Sequence, residues 1–381
     1  MIPLDQDLPA ILAMTAQAVA IDSGTYCSSG VQAVTELFAG HLRDSGFQLT
    51  FTPLSGRADQ VTATRVFGPG RRVLVLGHAD TVWPDGTVAG WSFANDGTFL
   101  TGPGVGDMKA SVAMALHALR HVAAAPPPGI GSITMLIVPD EEIGSPGSRA
   151  WIEAHARQAD ACLTLEPGRP GGGIVVGRGA VGALYVRATG VTAHVASARA
   201  EGASAIAALA GLVHPLEALT DEARGVGASV GILRGGDARQ VVPASAELHL
   251  DLRATTAEGA DWLVAAARRI AAIPPADTRV IIAAEGGFYR PPFPTGAGTR
   301  RLYAMAQALC AALHIPVAQV VSPGGSDGSF AAALGIPTLD GLGPVCHGIC
   351  SRSERVELDS IVPRGKLLAG LIAAIGREGV A

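Results

Sequence analysis

Three short apolar runs, each followed at once by acidic residues, constrain the fold of this chain most strongly. They are 72-RVLVLGHAD-80, 132-SITMLIVPDEE-142 and 161-ACLTLE-166. Apolar runs of this length without strict alternation are typical of strands buried on both faces, as in a parallel α/β sheet. Helical patterns lie between them, at 108–124 and 146–159. The sequence therefore predicts an α/β domain with polar side chains at the carboxyl ends of neighbouring strands, where ligands collect in such sheets.

A different pattern begins after residue 176. From about 180 to 288 the order is strand, helix, strand, strand, helix, strand, which predicts a compact α+β domain inserted between two halves of the α/β domain. The last segment returns to helices, with a short strand at 336–343. The predicted boundaries are 1–176 and 289–381 for the two parts of the α/β domain, and 177–288 for the inserted domain.

Charge and composition exclude several classes of protein. The net charge is −5 and there is no Lys/Arg block, which argues against nucleic acid or an anionic membrane as a partner. No apolar run approaches the roughly 20 residues that span a bilayer. The N-terminus carries two acids and no basic region, so it does not resemble a secretory signal. Five widely spaced cysteines indicate reduced thiols and a cytoplasmic protein.

Polar residues at the strand ends form a candidate metal site. His78 and Asp80 lie on the same side of the chain, so the carboxylate could orient the imidazole. Asp107 follows a glycine-rich stretch where a helix starts, and Glu166 ends the third strand. The three acids 140–142 repel one another unless a cation or a proton lies among them. Each signal alone also fits a polar loop, a helix cap or a solvated turn, but together they form the mixed N/O ligand set suited to Zn²⁺.

The order and spacing of GHADT, GPGVGDMK and DEEIGS resemble a known family. This is the family of dinuclear zinc hydrolases that includes acetylornithine deacetylase, succinyl-diaminopimelate desuccinylase and glutamate carboxypeptidase. The resemblance runs from about residue 20 to the end and is closest to the glutamate carboxypeptidase branch. It implies a zinc-exopeptidase-like mixed sheet flanked by helices, and an inserted βαββαβ domain that serves as lid and dimerisation domain. It also implies two Zn²⁺ per chain, with one possible, and Co²⁺ or Mn²⁺ as substitutes.

The resemblance assigns a role to each matching residue of the first domain. One carboxylate is the general base that activates water, one orients a ligand, one bridges the metals, and the others bind a single metal. These residues are Glu141 as the base, Asp80 as the orienting group, Asp107 as the bridge, and His78, Glu142 and Glu166 as the remaining ligands.

Substrate contacts are implied mainly in the inserted domain. His194, in 189-TGVTAHVASA-198, matches a histidine that helps to bind the tetrahedral intermediate, and its approach requires lid closure. Arg253 and Arg290 match arginines near the substrate carboxylate, which a guanidinium pairs with bidentately. Gln240 stands where the family usually has an Asn of the substrate-binding set that reaches across the dimer. A loop that lines the carboxylate pocket is matched by Gly324, Gly325 and Ser326.

The chain departs from the family at the last metal ligand. Members typically show G-L-G-P, then a His followed by Ser/Thr and E-x-V. Counting back from Ser351 and from Glu354 places Cys350 at that position, with His347 three residues early. Cys350 could bind the metal as a thiolate, the loop could shift so that His347 binds it, or the position could be weak or empty and leave a one-metal site.

These observations predict a two-domain, homodimeric, zinc-dependent amide hydrolase. Its substrate would be a small amide or dipeptide-like molecule with a free carboxylate, such as a C-terminal Glu-like residue or an N-acyl amino acid. An N-acyl amino acid deacylase is the nearest enzyme alternative. A specialised biosynthetic amidohydrolase or acyl-transfer enzyme, or a metal-poor binding protein on the same fold, is the second alternative, because Cys350 alters the ligand set.

Overall fold

The computed structural model describes residues 2–380, which divide into two compact units. The first unit comprises residues 2–177, 293–322 and 326–380, and the second comprises Arg178–Pro292 and Pro323–Gly325. The predicted end of the inserted segment, residue 288, lies inside a strand that continues to Arg290. Each unit has its own hydrophobic core.

Strands make up much of both units. In chain order they are β1 (Gln48–Thr52), β2 (Gln60–Val66), β3 (Arg71–His78), β4 (Ala94–Asn95), β5 (Phe99–Thr101), β6 (Ile130–Val138), β7 (Ala161–Thr164), β8 (Gly173–Arg178), β9 (Ala180–Thr189), β10 (Ala193–His194), β11 (Val226–Gly235), β12 (Val241–Val242), β13 (Ser245–Ala254), β14 (Ile281–Arg290), β15 (Ala318–Ser322), β16 (Thr338–Leu339), β17 (Cys346–His347) and β18 (Arg355–Glu357).

Helices alternate with these strands. They are α1 (Leu8–Val19), α2 (Ser28–Asp44), α3 (Thr87–Gly90), α4 (Ala110–Ala124), α5 (Arg149–Ala156), α6 (Ala205–Glu217), α7 (Ala257–Ala271), α8 (Ala297–Leu313), α9 (Gly328–Ala333) and α10 (Ile361–Glu378). A turn of π-helix, Val105–Lys109, leads into α4. No helix among residues 2–380 combines the length and the apolarity that crossing a bilayer requires.

A mixed sheet organises the first unit. Its strand order is β1-β2-β6-β3-β7-β16. The strands β6, β3, β7 and β16 are parallel, whereas β1 and β2 pair antiparallel at one edge. Because β6, β3 and β7 are adjacent and parallel, their carboxyl ends meet at one edge of the sheet. The predicted α/β fold with a mixed sheet is confirmed.

The central strands are buried on both faces, which explains their continuous apolar runs. Along β3, Val73 and Val75 belong to a large core that also contains residues of α4 and α10. The alternate residues, Leu74 and Leu76, belong to a second core with residues of α5 and with Phe330 of α9. Successive side chains of a strand point to opposite faces, so two helical layers require apolar residues at every position.

The second unit contains an antiparallel sheet with strand order β11-β13-β9-β14. Its main elements follow in the order strand, helix, strand, strand, helix, strand. Along β13, Leu248, Leu250 and Leu252 are fully buried in a core shared with α6 and α7. The intervening residues are partly exposed, which is the alternation of a sheet with one covered face. The short strands β10 and β12 pair antiparallel and form a separate two-stranded sheet in the same unit.

Candidate metal centre

The carboxyl ends of β3 and β7 bring three predicted ligands together. His78 ends β3, Glu166 follows β7, and Asp107 lies in the π-helical turn before α4. The His78 Nε2 atom is 3.2 Å from Asp107 Oδ1 and 3.9 Å from Glu166 Oε1. One ligand atom from each of the three residues lies within 4.8 Å of the others, and all three residues are buried. These atoms form the first ligand group.

A second ligand group shares Asp107 with the first. It consists of Asp107, Glu142 and Cys350, whose ligand atoms again lie within 4.8 Å of one another. The Cys350 thiol contacts Asp107 Oδ2 at 3.3 Å, while the other carboxylate oxygen faces His78. His347 belongs to neither group, because its Nε2 atom pairs with Glu357 Oε1 at 2.7 Å. Asp107 is thus the residue common to both groups.

Asp80 holds several parts of the site in place. The His78 Nδ1–H donates to the Asp80 carbonyl oxygen at 2.9 Å, which leaves Nε2 as the atom that faces the ligand group. The Asp80 carboxylate accepts the backbone N–H groups of Glu141 and Glu142, both at 3.1 Å. It also accepts the hydroxyl of Thr25 at 2.7 Å. Asp80 therefore fixes both the tautomer of His78 and the turn that carries the two glutamates.

The electrostatics of the site fit a bound cation. Burial and the charge of Asp107 raise the pKa of both Glu142 and Glu166 well above the usual range. Burial opposes protonation of His78, but its hydrogen bonds to Asp107 and Asp80 raise the pKa of the imidazole. The Glu142 Oε1 atom is buried and has no hydrogen-bond partner among the described residues.

A divalent metal would satisfy these crowded groups. The donor set is one imidazole, three carboxylates and one thiol, a combination suited to Zn²⁺. Partial burial and the charges of Asp107 and Glu142 raise the pKa of the Cys350 thiol. A cation would reverse that preference, since a coordinating thiol is deprotonated.

Glu354 is a further functional candidate, whose role is visible only in the folded structure. Its side chain is 1% exposed, and its Oε1 atom accepts the backbone N–H groups of Gly106 at 2.8 Å and Asp107 at 3.3 Å. Its Oε2 atom accepts the N–H of Cys350 at 3.3 Å. Glu354 therefore ties together the backbone of two residues of the second ligand group. The signal in the sequence is the match of Glu354 to the acid of the E-x-V run, which gives its position but not its contacts.

The loop that carries Cys350 is anchored by an arginine. The Arg352 guanidinium lies 5.2 Å from the ring centroid of Trp83 and 5.1 Å from that of Trp91. The two indoles themselves meet edge to face with centroids 4.9 Å apart. Such cation–π contacts stabilise the position of the loop beside the ligand groups.

Two of the predicted substrate residues are neighbours in the second unit. His194 in β10 lies across from β12, and the Val195 N–H donates to the Gln240 carbonyl at 3.0 Å. The backbone N–H groups of Ala196 and Ser197 donate to His194 Nδ1 at 3.2 and 3.4 Å. A neutral imidazole that accepts at Nδ1 carries its proton on Nε2, so His194 presents an N–H donor from an exposed side chain.

The two predicted arginines of that unit differ in their surroundings. Arg253 forms a bidentate pair with Asp251, two residues away on β13, at 2.7 and 2.9 Å. Arg290 ends β14 and is 4% exposed. The carbonyl groups of Gly324 and Gly325 accept Nη1 of Arg178 at 3.1 and 3.3 Å.

Ser326 belongs to the first unit rather than the second. It is fully buried, and its hydroxyl donates to Asp340 Oδ2 at 2.5 Å. The side chain of Ser326 is therefore engaged inside the first unit, and the sequence could not show this because the partner carboxylate lies 14 residues away.

Comparisons with known proteins identify the family. Residues 74–374 match peptidase family M20/M25/M40. The chain is 29% identical over 377 residues to carboxypeptidase G2 of Pseudomonas sp. strain RS-16, covering 97% of this chain and 90% of that protein. It is 33% identical over 374 residues to succinyl-diaminopimelate desuccinylase of Xanthomonas campestris, covering 91% and 94% of the two chains. The chain belongs to peptidase family M20/M25/M40.

Solved structures of the M20 family share the fold. A tripeptidase from Staphylococcus aureus superimposes with a TM-score of 0.78 at 21% identity, covering 97% of this chain and 99% of the other. An M20 family metallo-carboxypeptidase from Sulfolobus solfataricus gives 0.76 at 16% identity, covering 96% and 99%. The prediction of a metal-dependent enzyme that cleaves amide bonds is confirmed by this membership.

Proposed function

We propose that this M20 enzyme is a zinc-dependent carboxypeptidase or N-acyl amino acid deacylase that acts on a small substrate with a free carboxylate. The observation that carries the proposal is the pair of ligand groups that share Asp107. The names of two relatives, a carboxypeptidase and a desuccinylase, support an amide substrate of this class. Five free cysteines support a cytoplasmic location.

The two groups offer places for two zinc ions. His78, Asp107 and Glu166 would hold one, and Asp107, Glu142 and Cys350 would hold the other. Zinc bound there would supply a Lewis acid for the scissile carbonyl and lower the pKa of water. Co²⁺ or Mn²⁺ could substitute, because the ligand set contains nitrogen, oxygen and sulfur donors.

Each catalytic role is carried by a side chain in a suitable environment. Glu141 directly precedes the ligand Glu142, and its backbone is fixed by Asp80. It accepts a proton from the attacking water and returns it to the leaving amine. His194 donates its Nε2–H to the oxyanion, a role that fits the tautomer set by Ala196 and Ser197.

Recognition of the substrate carboxylate is assigned to the residues that match the substrate contacts of the family. Arg290 is the principal candidate, since a guanidinium matches a carboxylate in charge and shape. Gln240 lies next to the strand of His194 and would contact the same substrate. Arg253 would bind the substrate only by giving up its pair with Asp251. The remaining expected contacts are the loop residues Gly324, Gly325 and Ser326.

The replacement of Glu141 by Gln tests the mechanism. Glu141→Gln keeps the size of the side chain but cannot accept the proton, so we expect hydrolysis to fall by about 10²–10⁴-fold. Metal content should be unchanged, because Glu141 is in neither ligand group. Glu36→Gln, an exposed site on α2, is the matched control. Turnover of N-acyl glutamates and metal analysis would be measured in parallel, and an active Glu141→Gln enzyme contradicts the mechanism.

A further inference from the structure

A cavity of about 720 Å³ lies in the second unit, beside the strands β10 and β12. This volume is within the range of small-molecule sites. All of its lining residues belong to that unit, and none of them is among the predicted metal ligands or substrate contacts. Four segments form its walls: the stretch that follows β10, helix α6, the strand β12, and the segment that runs from the end of α7 into β14.

Small side chains on one face of α6 leave room for the cavity. Ala207, Ala208 and Gly211 all line it, and residues three and four apart are neighbours on a helix surface. Apart from its chain neighbours and the backbone of its own helix, no described atom lies within 4 Å of the position that a Cβ atom of residue 211 would occupy. The space beside this helix is therefore open to another molecule.

Most of the cavity wall is apolar. Leu212, Val242 and Val280 line it with side chains that are otherwise buried. Ile273, which is 55% exposed, and Pro274 extend the same surface after the end of α7. A bound molecule would gain free energy mainly by removing this apolar surface from water.

Two arginines give the cavity a positive charge. Arg199 and Arg239 line it, and neither guanidinium has a hydrogen-bond or ion-pair partner among residues 2–380. Asp277 is the one acid among the described lining residues, and its carboxylate is already paired with Arg279 at 2.7 and 3.0 Å. The charge that is left without a partner at this cavity is therefore positive.

The charged and the apolar parts of the wall come from different segments. Arg199 lies in the turn that follows β10, and Arg239 directly precedes Gln240 and the strand β12. Leu212 and Ile273 come instead from α6 and from the segment after α7. A ligand with one anionic end and one apolar end would match this arrangement, with its anionic end toward β10 and β12.

The same two strands carry residues of the proposed reaction. Val195, which lines the cavity, directly follows His194, and its N–H donates to the Gln240 carbonyl. Val241 also lines the cavity and is the register partner of His194 in the β10–β12 pair. A molecule in the cavity would therefore contact the backbone segments that hold His194 and Gln240.

We propose that this cavity binds a small carboxylate with an apolar body, such as a medium-chain acid, and that the bound molecule rests against the strands β10 and β12. A guanidinium matches a carboxylate in charge and shape. An uncharged apolar molecule would leave both arginines unpaired, and a small hydrophilic anion would leave the apolar wall in water. The site goes beyond the proposed function, because binding here does not depend on hydrolysis.

Equilibrium dialysis of the full chain with isotope-labelled octanoate tests the site. We expect saturable binding, and at least about tenfold weaker binding of octanol and of acetate, which lack the charge and the apolar body respectively. Arg199→Gln and Arg239→Gln should each weaken octanoate binding at least about tenfold, because each removes a charged partner. Arg269→Gln is the control, since Arg269 is exposed on α7 but does not line the cavity.

A substitution that fills the cavity provides an independent test. Gly211→Phe places a ring in the open space beside α6 and should abolish octanoate binding. Gly40→Phe is the matched control, because Gly40 is a helical glycine of α2 with equally open surroundings in the first unit. Circular dichroism would show that both variants fold.

The position of the ligand can be followed at His194 by nuclear magnetic resonance. In histidine-labelled protein, the ring signal that disappears in His194→Gln should shift when octanoate is added, and Gly211→Phe should lack this shift. No binding of octanoate, equal binding of octanol, or full binding in both arginine variants would overturn the inference. Binding that leaves the His194 signal unchanged would overturn the position against β10 and β12. Neither result depends on whether the enzyme hydrolyses N-acyl amino acids.

Discussion

At the scale of single residues, Cys350 is held in an uncommon backbone conformation. Its φ is +58°, in the left-handed region that costs a residue with a side chain roughly 1–2 kcal/mol. The Glu354 carboxylate accepts its N–H and so helps to maintain this conformation. Strain of this kind persists where the surroundings fix it and is concentrated at functional sites. The geometry favours Cys350 over His347 as the last metal ligand.

The identity of that ligand can be tested by metal analysis and spectroscopy. Wild-type protein should contain two zinc ions per chain, and Cys350→Ser should contain about one, because a hydroxyl is a poorer zinc ligand than a thiolate. Cobalt substitution should give a sulfur-to-metal charge-transfer band that Cys350→Ser lacks. His347→Ala is the control and should keep both the metal and the band. Loss of one metal in His347→Ala alone would assign the role to the histidine.

Glu354 provides a second prediction at this scale. Glu354→Ala removes the acceptor for the N–H groups of Gly106, Asp107 and Cys350. We expect about 10–100-fold weaker metal binding, the usual effect of losing a group that positions ligands. Glu357→Ala is the matched control, since Glu357 ends the strand β18 that follows this loop but pairs with His347. Metal affinity would be measured by competition with a chelator. Equal weakening in both variants would indicate a general effect on the loop.

The ligand set was predictable from sequence only where it follows strand ends. His78, Glu142 and Glu166 were predicted as ligands because each lies at or after the end of one of the adjacent strands β3, β6 and β7. The contribution of Glu354 depends on contacts with residues about 250 positions away. The contribution of Thr25 depends on its hydrogen bond to Asp80, 55 positions away. Contacts between residues so far apart in the sequence produce no periodic pattern, so neither contribution was predictable.

At the scale of secondary-structure elements, two helices of the first unit meet through a pair of histidines. His41 of α2 and His117 of α4 have ring centroids 4.5 Å apart, and His117 is 2% exposed. Burial, with the charges of His41 and Arg120, lowers the pKa of His117 to about 4. Burial also lowers the pKa of His41. The contact between the two helices therefore requires neutral imidazoles.

This contact predicts a loss of stability in acid. Between about pH 6.5 and pH 4 the unfolded chain binds a proton at residue 117 that the folded chain does not, so the free energy of unfolding falls as pH decreases. One proton corresponds at most to about 1.4 kcal/mol per pH unit. In His117→Gln that contribution should disappear. Urea unfolding in the presence of a chelator at pH 7 and pH 4.5 would measure the difference.

The control for that experiment is a histidine away from the helix contact. His214→Gln changes an exposed residue near the end of α6 in the second unit. It should retain the wild-type dependence of stability on pH. If His117→Gln loses as much stability as the wild-type protein between the two pH values, then the buried pair does not govern this dependence.

Elements were predictable where burial imposes a pattern. The runs that became β3, β6 and β7 are buried on both faces over most of their length, and their buried parts are accordingly rich in consecutive apolar residues. The strand β1 is half exposed, and β17 and β18 have two and three residues, so no run marks them. The predicted helix 108–124 begins two residues late, at Ala110, because the π-helical turn at Val105–Lys109 precedes it.

At the scale of the whole molecule, the sheet of the second unit has edge strands of the kind that pair between two chains. Its sheet leaves β11 and β14 with a neighbour on one side only. Leu233 on β11 is 40% exposed and Ile281 on β14 is 69% exposed. Edge strands with exposed apolar side chains favour pairing with another chain. We propose a homodimer formed through this unit, in agreement with the role that the family resemblance implies for the inserted domain.

Sedimentation equilibrium tests the proposed dimer. The chain mass is 38.6 kDa, and we expect twice that value at micromolar concentration. Leu233→Lys and Ile281→Lys, tested separately, should show which edge pairs, because a charged residue on an edge strand opposes association. Val66→Lys in the first unit is the control. A wild-type mass of 38.6 kDa would exclude the dimer and any contact made from a second copy.

The fluorescence of the two indoles that contact Arg352 reports on the loop beside the candidate metal centre. The chain has four tryptophans, and two of them, Trp83 and Trp91, pack edge to face against each other and contact Arg352 in the loop that carries Cys350. The others lie on α5 and α7. Any displacement of that loop changes the environment of half the fluorophores and the near-ultraviolet circular dichroism of the coupled pair. The ordering of the loop can therefore be followed in real time without a label and without changing any ligand.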